Sequence, residues 1–129
     1  MVIVKEMMTK NPVRIPFHST IRKAVDLMVE KKIGCLLVSR GDETIGILEE
    51  GDIVRKVLAK DLNPYVTKVE DAMSVPPVID SGQSDDEASD MMITHHVRHL
   101  AVLMEGKIVG IVSMQDLVRP VYTGKSFWT

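Results

Sequence analysis

Apolar residues recur at helical spacing in two stretches of the first half of the chain. The first stretch follows Thr20, a good N-cap residue, and carries apolar side chains at positions 21, 24, 25, 28 and 29 before Gly34 stops it. The second begins near Asp52 and continues through Leu58. We therefore predict two amphipathic helices, separated by about 20 residues of different character.

The intervening residues alternate short apolar runs with turn residues. Residues 35–39 and 44–48 are apolar and flank the turn-rich segment 40–43, which is typical of a β-hairpin with one buried face. Upstream, Val13 and Ile15 lie between Pro12 and Pro16, and this short extended segment is an edge strand at most.

The second half of the chain repeats this order. A shift of 64 positions aligns residues 24–57 with 88–121 without a gap, and eleven pairs are identical, among them Gly46/Gly110 and Asp52/Asp116. The opening segment aligns at a shift of 65 instead. We divide the chain into repeat 1 (1–60), a linker (61–68), repeat 2 (69–121) and a tail (122–129) that carries Phe127 and Trp128.

The sequence pattern of each repeat predicts the order strand, helix, strand, strand, helix, and therefore an α+β fold. A unit of about 60 residues is only marginally stable alone, so we expect the repeats to pack about a pseudo-twofold axis into one module. Such packing creates two related clefts, and ligand sites favour interfaces of this kind.

Composition narrows the function classes. The formal net charge of -2 gives no overall basic field, so a nucleic-acid partner is not indicated. No apolar run approaches the roughly 20 residues that a membrane helix needs, and the single Cys35 cannot form an internal disulfide. We expect a soluble, cytoplasmic protein.

Three motifs recur in order in the two halves. They are Met-Thr-x-x-Pro-Val at residues 8–13, Ile33-Gly34 or Val97-Arg98 before a buried strand, and Gly-Ile-Leu/Val-x-x-x-Asp ending at Asp52 and Asp116. Together they resemble the tandem cystathionine β-synthase (CBS) domain pair over about residues 4–121. The resemblance implies a regulatory module without catalytic activity that binds AMP, ADP, ATP or S-adenosylmethionine between its repeats. It also implies a homodimer and a separate regulated protein.

The resemblance assigns site residues to two clefts. The acid of the last motif takes the ribose hydroxyls, while the other repeat supplies the adenine pocket and the positions that face the phosphates. Cleft A then combines Ile47, Asp52, Val78, Arg98 and His99. Cleft B combines Val13, Gly34, Cys35, Ile111, Ser113 and Asp116.

The two clefts depart from the family pattern in opposite ways. Cleft A has cations for phosphate but carries Glu49 where Ser or Thr is expected, and Glu49 either repels phosphate, points away or bonds a sugar hydroxyl. Cleft B has the complete motif but Gly34 and Cys35 at the phosphate positions, which suits a neutral or weakly charged adenosyl ligand.

Simpler interpretations compete with each of these signals. Ser113 and Asp116 also fit a capping box, as do Ser84 and Glu87, which we assign wholly to structure. The histidines at 95, 96 and 99 lack the glutamate of a metalloprotease helix, and His99 begins a predicted strand instead of extending the helix, so we predict no metal site. For the whole chain, the alternative function is a ligand-free interaction scaffold that only dimerises.

Overall fold

The computed structural model describes residues 1–122, and side chains through residue 118. The chain forms two compact units that do not coincide with the sequence repeats. Of the described residues, unit 1 contains 1–12 and 76–122, and unit 2 contains 13–75. The tail residues Phe127 and Trp128 lie outside the described part. Within that part, no helix is long and apolar enough to cross a membrane.

Unit 2 contains three strands, two α-helices and two further helical turns. In chain order these are β2 (Arg14–Pro16), α2 (Ile21–Lys31), β3 (Cys35–Arg40), β4 (Glu43–Glu49), α3 (Glu50–Ile53), a π-helical turn (Val54–Leu58) and a 3-10 turn (Val69–Asp71). Unit 1 contains α1 (Val4–Met7), β1 (Thr9–Lys10), β5 (Val78–Asp80), α4 (Asp85–His95), β6 (His99–Met104), β7 (Lys107–Ser113) and α5 (Met114–Tyr122). The predicted α+β class is confirmed, as are the hairpins.

The two sheets share one plan. In unit 2, β2 is an edge strand parallel to β3, and β3 pairs antiparallel with β4. In unit 1, β5 is parallel to β6, β6 is antiparallel to β7, and the short β1 adds a fourth strand beside β7. Both hairpins carry an irregularity at the same repeat position, after Val38 and after Val102. The repeat therefore extends to the details of strand register.

The first helix of each repeat begins and ends through the same local interactions. The hydroxyl of Thr20 accepts the backbone N–H of Lys23, and Ser84 with Glu87 forms the predicted capping box. Both helices end at a left-handed residue, Lys32 and His96, whose N–H groups satisfy carbonyls of the last turn. The second helix of repeat 1 is less regular than its apolar spacing predicts, because α3 gives way after one turn to the π-helical turn.

Each unit is completed by a short segment that belongs to the other sequence repeat. We call it the borrowed segment, and it covers about residues 69–74 in unit 2 and about residues 4–9 in unit 1. In unit 2, Ser74 forms a bridge with Ile47 on β4, and the N–H of Val69 donates to the carbonyl of Ser19 at 2.8 Å. In unit 1, Thr9 pairs with Ile111, and the N–H of Val4 donates to Gln83 at 2.8 Å. Val4 and Val69 are both fully buried.

Each unit has its own apolar core. Unit 2 packs the buried faces of α2, β3 and β4 around Leu36, Val38 and Leu48, with Val69 and Ala72 of the borrowed segment included. Unit 1 packs the corresponding faces of α4, β6 and β7 around Leu100, Val102 and Val112, with Val4 of its borrowed segment included. The borrowed segments are thus part of the cores.

Gly110 permits the close approach of the borrowed segment in unit 1. A Cβ at this position would lie 2.7 Å from the carbonyl oxygen of Thr9 and 2.6 Å from the sulfur of Met8. Gly46 faces Ser74 and Met73 in the same way. We predict that Gly110→Ala lowers the free energy of unfolding by about 1–3 kcal/mol, because the segment must shift to relieve the overlap.

Urea denaturation checks this prediction, with Gly82→Ala as the matched control. Gly82 has only one atom, the Asp80 carboxylate at 3.4 Å, within reach of an added Cβ. Equal free energies of unfolding for the two variants would show that the close approach at Gly110 does not contribute to stability.

Candidate functional site

In unit 1, four of the predicted site residues lie at one end of the β6–β7 hairpin. His99 begins β6 and lies directly opposite Ser113, the last residue of β7. The N–H of Met114 donates to the carbonyl of Arg98 at 2.9 Å, which fixes the backbone just before β6 against the start of α5. Arg98 is exposed, and Ser113 and Asp116 are partly buried. Cationic, hydroxyl and carboxylate groups therefore occur around one strand–helix junction.

Ser113 and Asp116 form the capping box that was considered for them. The N–H of Ser113 donates to Oδ2 of Asp116 at 2.8 Å, and the N–H of Asp116 donates to the Ser113 hydroxyl at 3.2 Å. A carboxylate has about four acceptor positions. The cap uses one of them, so a cap and a ligand role are compatible.

The two apolar site residues of unit 1 have different surroundings. Ile111 is buried and lies between Thr9 and Ala101 in the sheet register. Val78 begins β5 opposite Ala101 and is exposed. Val78 is therefore open to contact with another molecule, whereas Ile111 is a core position of the sheet.

In unit 2, Asp52 is held in an internal polar network. It is 3% exposed. Its Oδ2 accepts the N–H of Glu49 at 2.9 Å, and its Oδ1 accepts the Ser74 hydroxyl at 3.0 Å. The ammonium of Lys56 lies 3.1 Å from Oδ1 and also donates to the Ser74 hydroxyl at 2.9 Å. Asp52 thus ties the start of α3 to the borrowed segment.

The sequence interpretation missed Lys56 and Ser74. Lys56 follows Asp52 by four residues, and this i, i+4 spacing is a known signal for ion pairing on a helix. Nothing in the sequence pointed to Ser74, which lies 22 positions away. Repeat 2 cannot form the same network, because Pro120 stands at the position of Lys56.

Glu49 takes over the role of the expected hydroxyl residue. Its side chain accepts the backbone N–H of Asp52, and Asp52 accepts the N–H of Glu49, so the pair forms a capping box like that of Ser113 and Asp116. Of the three roles considered for Glu49, none included helix capping. A glutamate serves here because its carboxylate, like a hydroxyl, is a hydrogen-bond acceptor.

The predicted phosphate position at Gly34 lies beside an acid. The carbonyl of Gly34 accepts the N–H of Glu50 at 3.0 Å, and the Glu50 carboxylate contacts the space that a side chain at Gly34 would fill. At the equivalent positions, unit 1 has Arg98 and Met114. The local charge therefore differs in sign between the two units.

The other unit 2 site residues are elements of the sheet. The carbonyl of Val13 accepts the N–H of Leu37 at 3.0 Å, just before β2. Ile47 is buried in β4 opposite Leu37. Both clefts would take residues from the two units, so the assignment of these residues to cleft A and cleft B stays a prediction.

The thiol of Cys35 has a raised pKa. Burial, with a smaller contribution from the negative charge of Glu49, raises the pKa of Cys35 from 9.0 to about 12. The thiolate is the nucleophilic form, and it is scarce at neutral pH. Cys35 is only partly buried, in contrast to the small buried residue that its sequence context suggests, so its low thiolate fraction is what argues against a nucleophilic role. Within residues 1–122, no group of three His, Cys, Asp or Glu side chains has a metal-binding arrangement.

We predict that Asp52→Asn destabilises the protein more than Asp116→Asn does. Loss of the charge facing Lys56 and Ser74 should cost roughly 1.5–3 kcal/mol, as for other hydrogen bonds to charged groups. The partly exposed cap at Asp116 should lose no more than about 1 kcal/mol. Urea denaturation at pH 7 measures both values, and equal losses would refute a structural role specific to Asp52.

The raised pKa of Cys35 predicts slow alkylation and a pH-dependent stability. At pH 8 the folded thiol should react with iodoacetamide roughly a thousandfold more slowly than the urea-unfolded chain, since its thiolate fraction falls with the pKa shift. As pH rises above 9.0, the unfolded thiol ionises first, so stability falls until the folded pKa of about 12 is reached. Similar alkylation rates for both states would contradict the assignment.

Solved structures of other proteins share this fold. A protein with CBS domains from Burkholderia ambifaria is 34% identical, with a TM-score of 0.88 and 98% of each chain covered. Hypoxic Response Protein I, solved with two coordinated zinc ions, is 30% identical, with a TM-score of 0.80, 92% of this chain and 98% of that chain covered. The CBS domain protein PAE2072 from Pyrobaculum aerophilum, complexed with AMP, is 22% identical at a TM-score of 0.80, with 89% of each chain covered, and shows the shared fold.

Sequence relatives agree with the structural ones. Hypoxic response protein 1 of Mycobacterium tuberculosis is 32% identical over 121 residues, which cover 92% of this chain and 85% of that protein. Other curated relatives are longer, and the chain spans 63% of one and 48% of another. The sequence profile of the CBS domain matches residues 4–59 and 69–122. The chain therefore belongs to the CBS domain family, with two copies of the domain in tandem.

Proposed function

We propose that this chain is a regulatory module without catalytic activity that binds an adenosine-containing ligand. The observation that carries the proposal is the strand–helix junction of unit 1. There the hydroxyl of Ser113 and the carboxylate of Asp116 follow β7, and His99 lies opposite Ser113 on β6. The ligand would shift the affinity of the module for a separate regulated protein.

The side chains at this junction would contribute to two nucleotide sites, with a ribose contact in cleft B and phosphate contacts in cleft A. A carboxylate with free acceptor capacity binds the adjacent hydroxyls of a ribose, and Asp116 uses one acceptor position in its cap. Arginine donates paired hydrogen bonds to phosphate, and Arg98 is exposed. The family resemblance assigns Arg98 and His99 to cleft A and Ser113 and Asp116 to cleft B, and we keep both clefts as candidate sites.

The two clefts should prefer different ligands. Cleft A contains Arg98 and His99 and is the better candidate for AMP, ADP or ATP. In cleft B, Gly34 leaves the phosphate position without a cation, and the Glu50 carboxylate lies next to it. An anion is disfavoured near a carboxylate, so cleft B suits adenosine or the cationic S-adenosylmethionine.

Asp52 is less available to a ligand than Asp116. Three hydrogen-bonding partners already surround its carboxylate, and the side chain is buried. We therefore propose that a ligand in cleft A depends more on Arg98 and His99 than on Asp52. The AMP complex of PAE2072 supports adenine nucleotides as the first ligands to test.

We predict that Arg98→Ala combined with His99→Ala weakens AMP and ATP binding by about 10- to 100-fold. This range corresponds to the loss of charge-assisted contacts worth roughly 1.5–3 kcal/mol. Binding of adenosine, which has no phosphate, should change far less. Isothermal titration of each ligand measures the difference, and Lys60→Ala, which removes an exposed cation elsewhere, is the control.

Two outcomes would count against the proposal. If AMP, ADP, ATP, adenosine and S-adenosylmethionine all leave the melting temperature of the wild-type chain unchanged, the ligand-binding function is wrong. A ligand at 100 times its Kd adds about 2.7 kcal/mol, which a melting curve detects. If the affinity of the double variant falls as much for adenosine as for AMP, the two residues do not select for phosphate.

A ligand-free dimerisation scaffold is the second candidate function. Exposed apolar side chains on the helices of both units favour it, because they provide surface for a protein partner. We propose that the chain is a homodimer under either function. A dimer that binds none of the five ligands would favour the scaffold.

A further inference from the structure

The acid that follows the outer hairpin strand has the same backbone contact in both repeats. Asp52 accepts the N–H of Glu49 at 2.9 Å, and Asp116 accepts the N–H of Ser113 at 2.8 Å. Each acid thereby belongs to the cap of the helix that follows its strand. The exposure of the two acids nevertheless differs, since Asp52 is 3% exposed and Asp116 is partly exposed. A contact outside the cap is needed to explain this difference.

The residue four positions after the acid distinguishes the two repeats. The borrowed segments place a hydroxyl residue at the same point of each sheet, Ser74 in unit 2 and Thr9 in unit 1. The fourth residue after the acid, in contrast, is Lys56 in repeat 1 and Pro120 in repeat 2. A proline side chain has no hydrogen-bond donor. Repeat 1 therefore has a side-chain donor at a position where repeat 2 has none.

Lys56 joins Asp52 to the borrowed segment of unit 2. Its ammonium lies 3.1 Å from Oδ1 of Asp52 and donates to the Ser74 hydroxyl at 2.9 Å and to the carbonyl of Ala72 at 3.2 Å. The Ser74 hydroxyl in turn donates to the same Oδ1 at 3.0 Å. An ammonium group has three donors and no acceptor. These three contacts use all of the donors, so Lys56 has none left for a phosphate.

We infer that Lys56 is a specificity-determining residue that withholds Asp52 from ligands, so that Asp116 is the acid that binds ribose. The inference rests on the proposed function and adds to it the choice between the two acids. A ribose hydroxyl that bonded to Oδ1 of Asp52 would displace Lys56 or Ser74, and the displaced group would lose a hydrogen bond to a charged acceptor. At Asp116, a hydroxyl can use an acceptor position outside the cap.

Arg55 lies beside the same acid without holding it. Its guanidinium is 4.0 Å from Oδ1 of Asp52, which is beyond hydrogen-bond distance, and its side chain is 71% exposed. An exposed pair of this kind contributes little. Arg55 and Lys56 are neighbours in the π-helical turn. Arg55→Met therefore removes the same charge from the same turn without removing a hydrogen bond to the acid, and it is the matched control for Lys56→Met.

Carboxyl labelling tests the inference without a ligand. A water-soluble carbodiimide with glycine ethyl ester modifies accessible carboxylates, and tandem mass spectrometry of the digested chain distinguishes Asp52 from Asp116. In the wild-type chain, Asp116 should react and Asp52 should stay protected. Lys56→Met should raise the labelling of Asp52 by about tenfold, because it removes a hydrogen bond to a charged group. Arg55→Met should leave the labelling unchanged, and Lys56→Arg, which keeps the donors, should preserve the protection.

Two further measurements separate this effect from general unfolding. Labelling of Asp116 in the same Lys56→Met chain reports on unfolding, and it should equal the wild-type value. Ser74→Ala removes the other donor to Oδ1 and leaves the ammonium of Lys56 in place. We expect it to raise the labelling of Asp52 less than Lys56→Met does, because a hydroxyl is the weaker partner of a carboxylate.

Adenosine titration tests the choice of the acid. Adenosine has no phosphate, so the loss of a cation does not alter its affinity through charge attraction. The wild-type chain should bind one adenosine, and Asp116→Asn should weaken this binding by about tenfold or more. Lys56→Met should bind a second adenosine through Asp52. Adding Asp52→Asn to Lys56→Met should restore a stoichiometry of one, and Arg55→Met should bind one.

The two measurements distinguish the inference from the proposed function. Binding of adenosine to neither the wild-type chain nor Lys56→Met would overturn the proposed function. Equal labelling of Asp52 in these two chains would overturn the role of Lys56 alone. A wild-type chain that binds two adenosine molecules would also overturn it, as would a Lys56→Met chain in which Asp52 is labelled faster but one adenosine still binds.

Discussion

The pairing of a borrowed segment with the outer strand of each hairpin is the interaction on which the rest of the structure depends. In unit 2 the segment reaches β4 through the bridge between Ser74 and Ile47, and in unit 1 β1 reaches β7 through Thr9 and Ile111. Glycine at positions 46 and 110 makes room for the backbone. The segments also bury Val69 and Val4 in the two cores. Without this pairing, β4 and β7, the strands that precede Asp52 and Asp116, would each lack a hydrogen-bonded neighbour on the outer side of the hairpin.

The same scaffold supports different chemistry at the two strand–helix junctions. Both junctions cap the following helix with an acid three residues after the strand, and both anchor its first N–H on the residue before the opposing strand. In unit 2, Lys56 and Ser74 draw the carboxylate of Asp52 into the interior. In unit 1, Asp116 is only partly buried. The duplicated motif thus has a mainly structural acid in one copy and a more accessible acid in the other.

The sequence predicted the elements more completely than their assembly. Periodicity and capping residues located α2, α4 and both hairpins, because each depends on interactions within a few residues. The π-helical turn and the role of Glu49 were missed, since helical spacing does not distinguish an i+4 from an i+5 turn and Glu is not a preferred N-cap residue. The network around Asp52 depends on Ser74, a long-range contact that pattern analysis of one sequence does not reveal. The assignment of the site residues to two clefts remains a prediction.

The exchange of edge segments separates the unit of sequence from the unit of folding. A repeat copied as residues 1–60 contains β4 but not Ser74, and it carries an opening segment whose partner strand, β7, belongs to the other copy. A chain cut after residue 60 would therefore lose Val69 and Ala72 from the core of unit 2 together with the backbone pairing of Ser74 to β4, so the boundary of a stable fragment lies beyond the boundary of the sequence repeat.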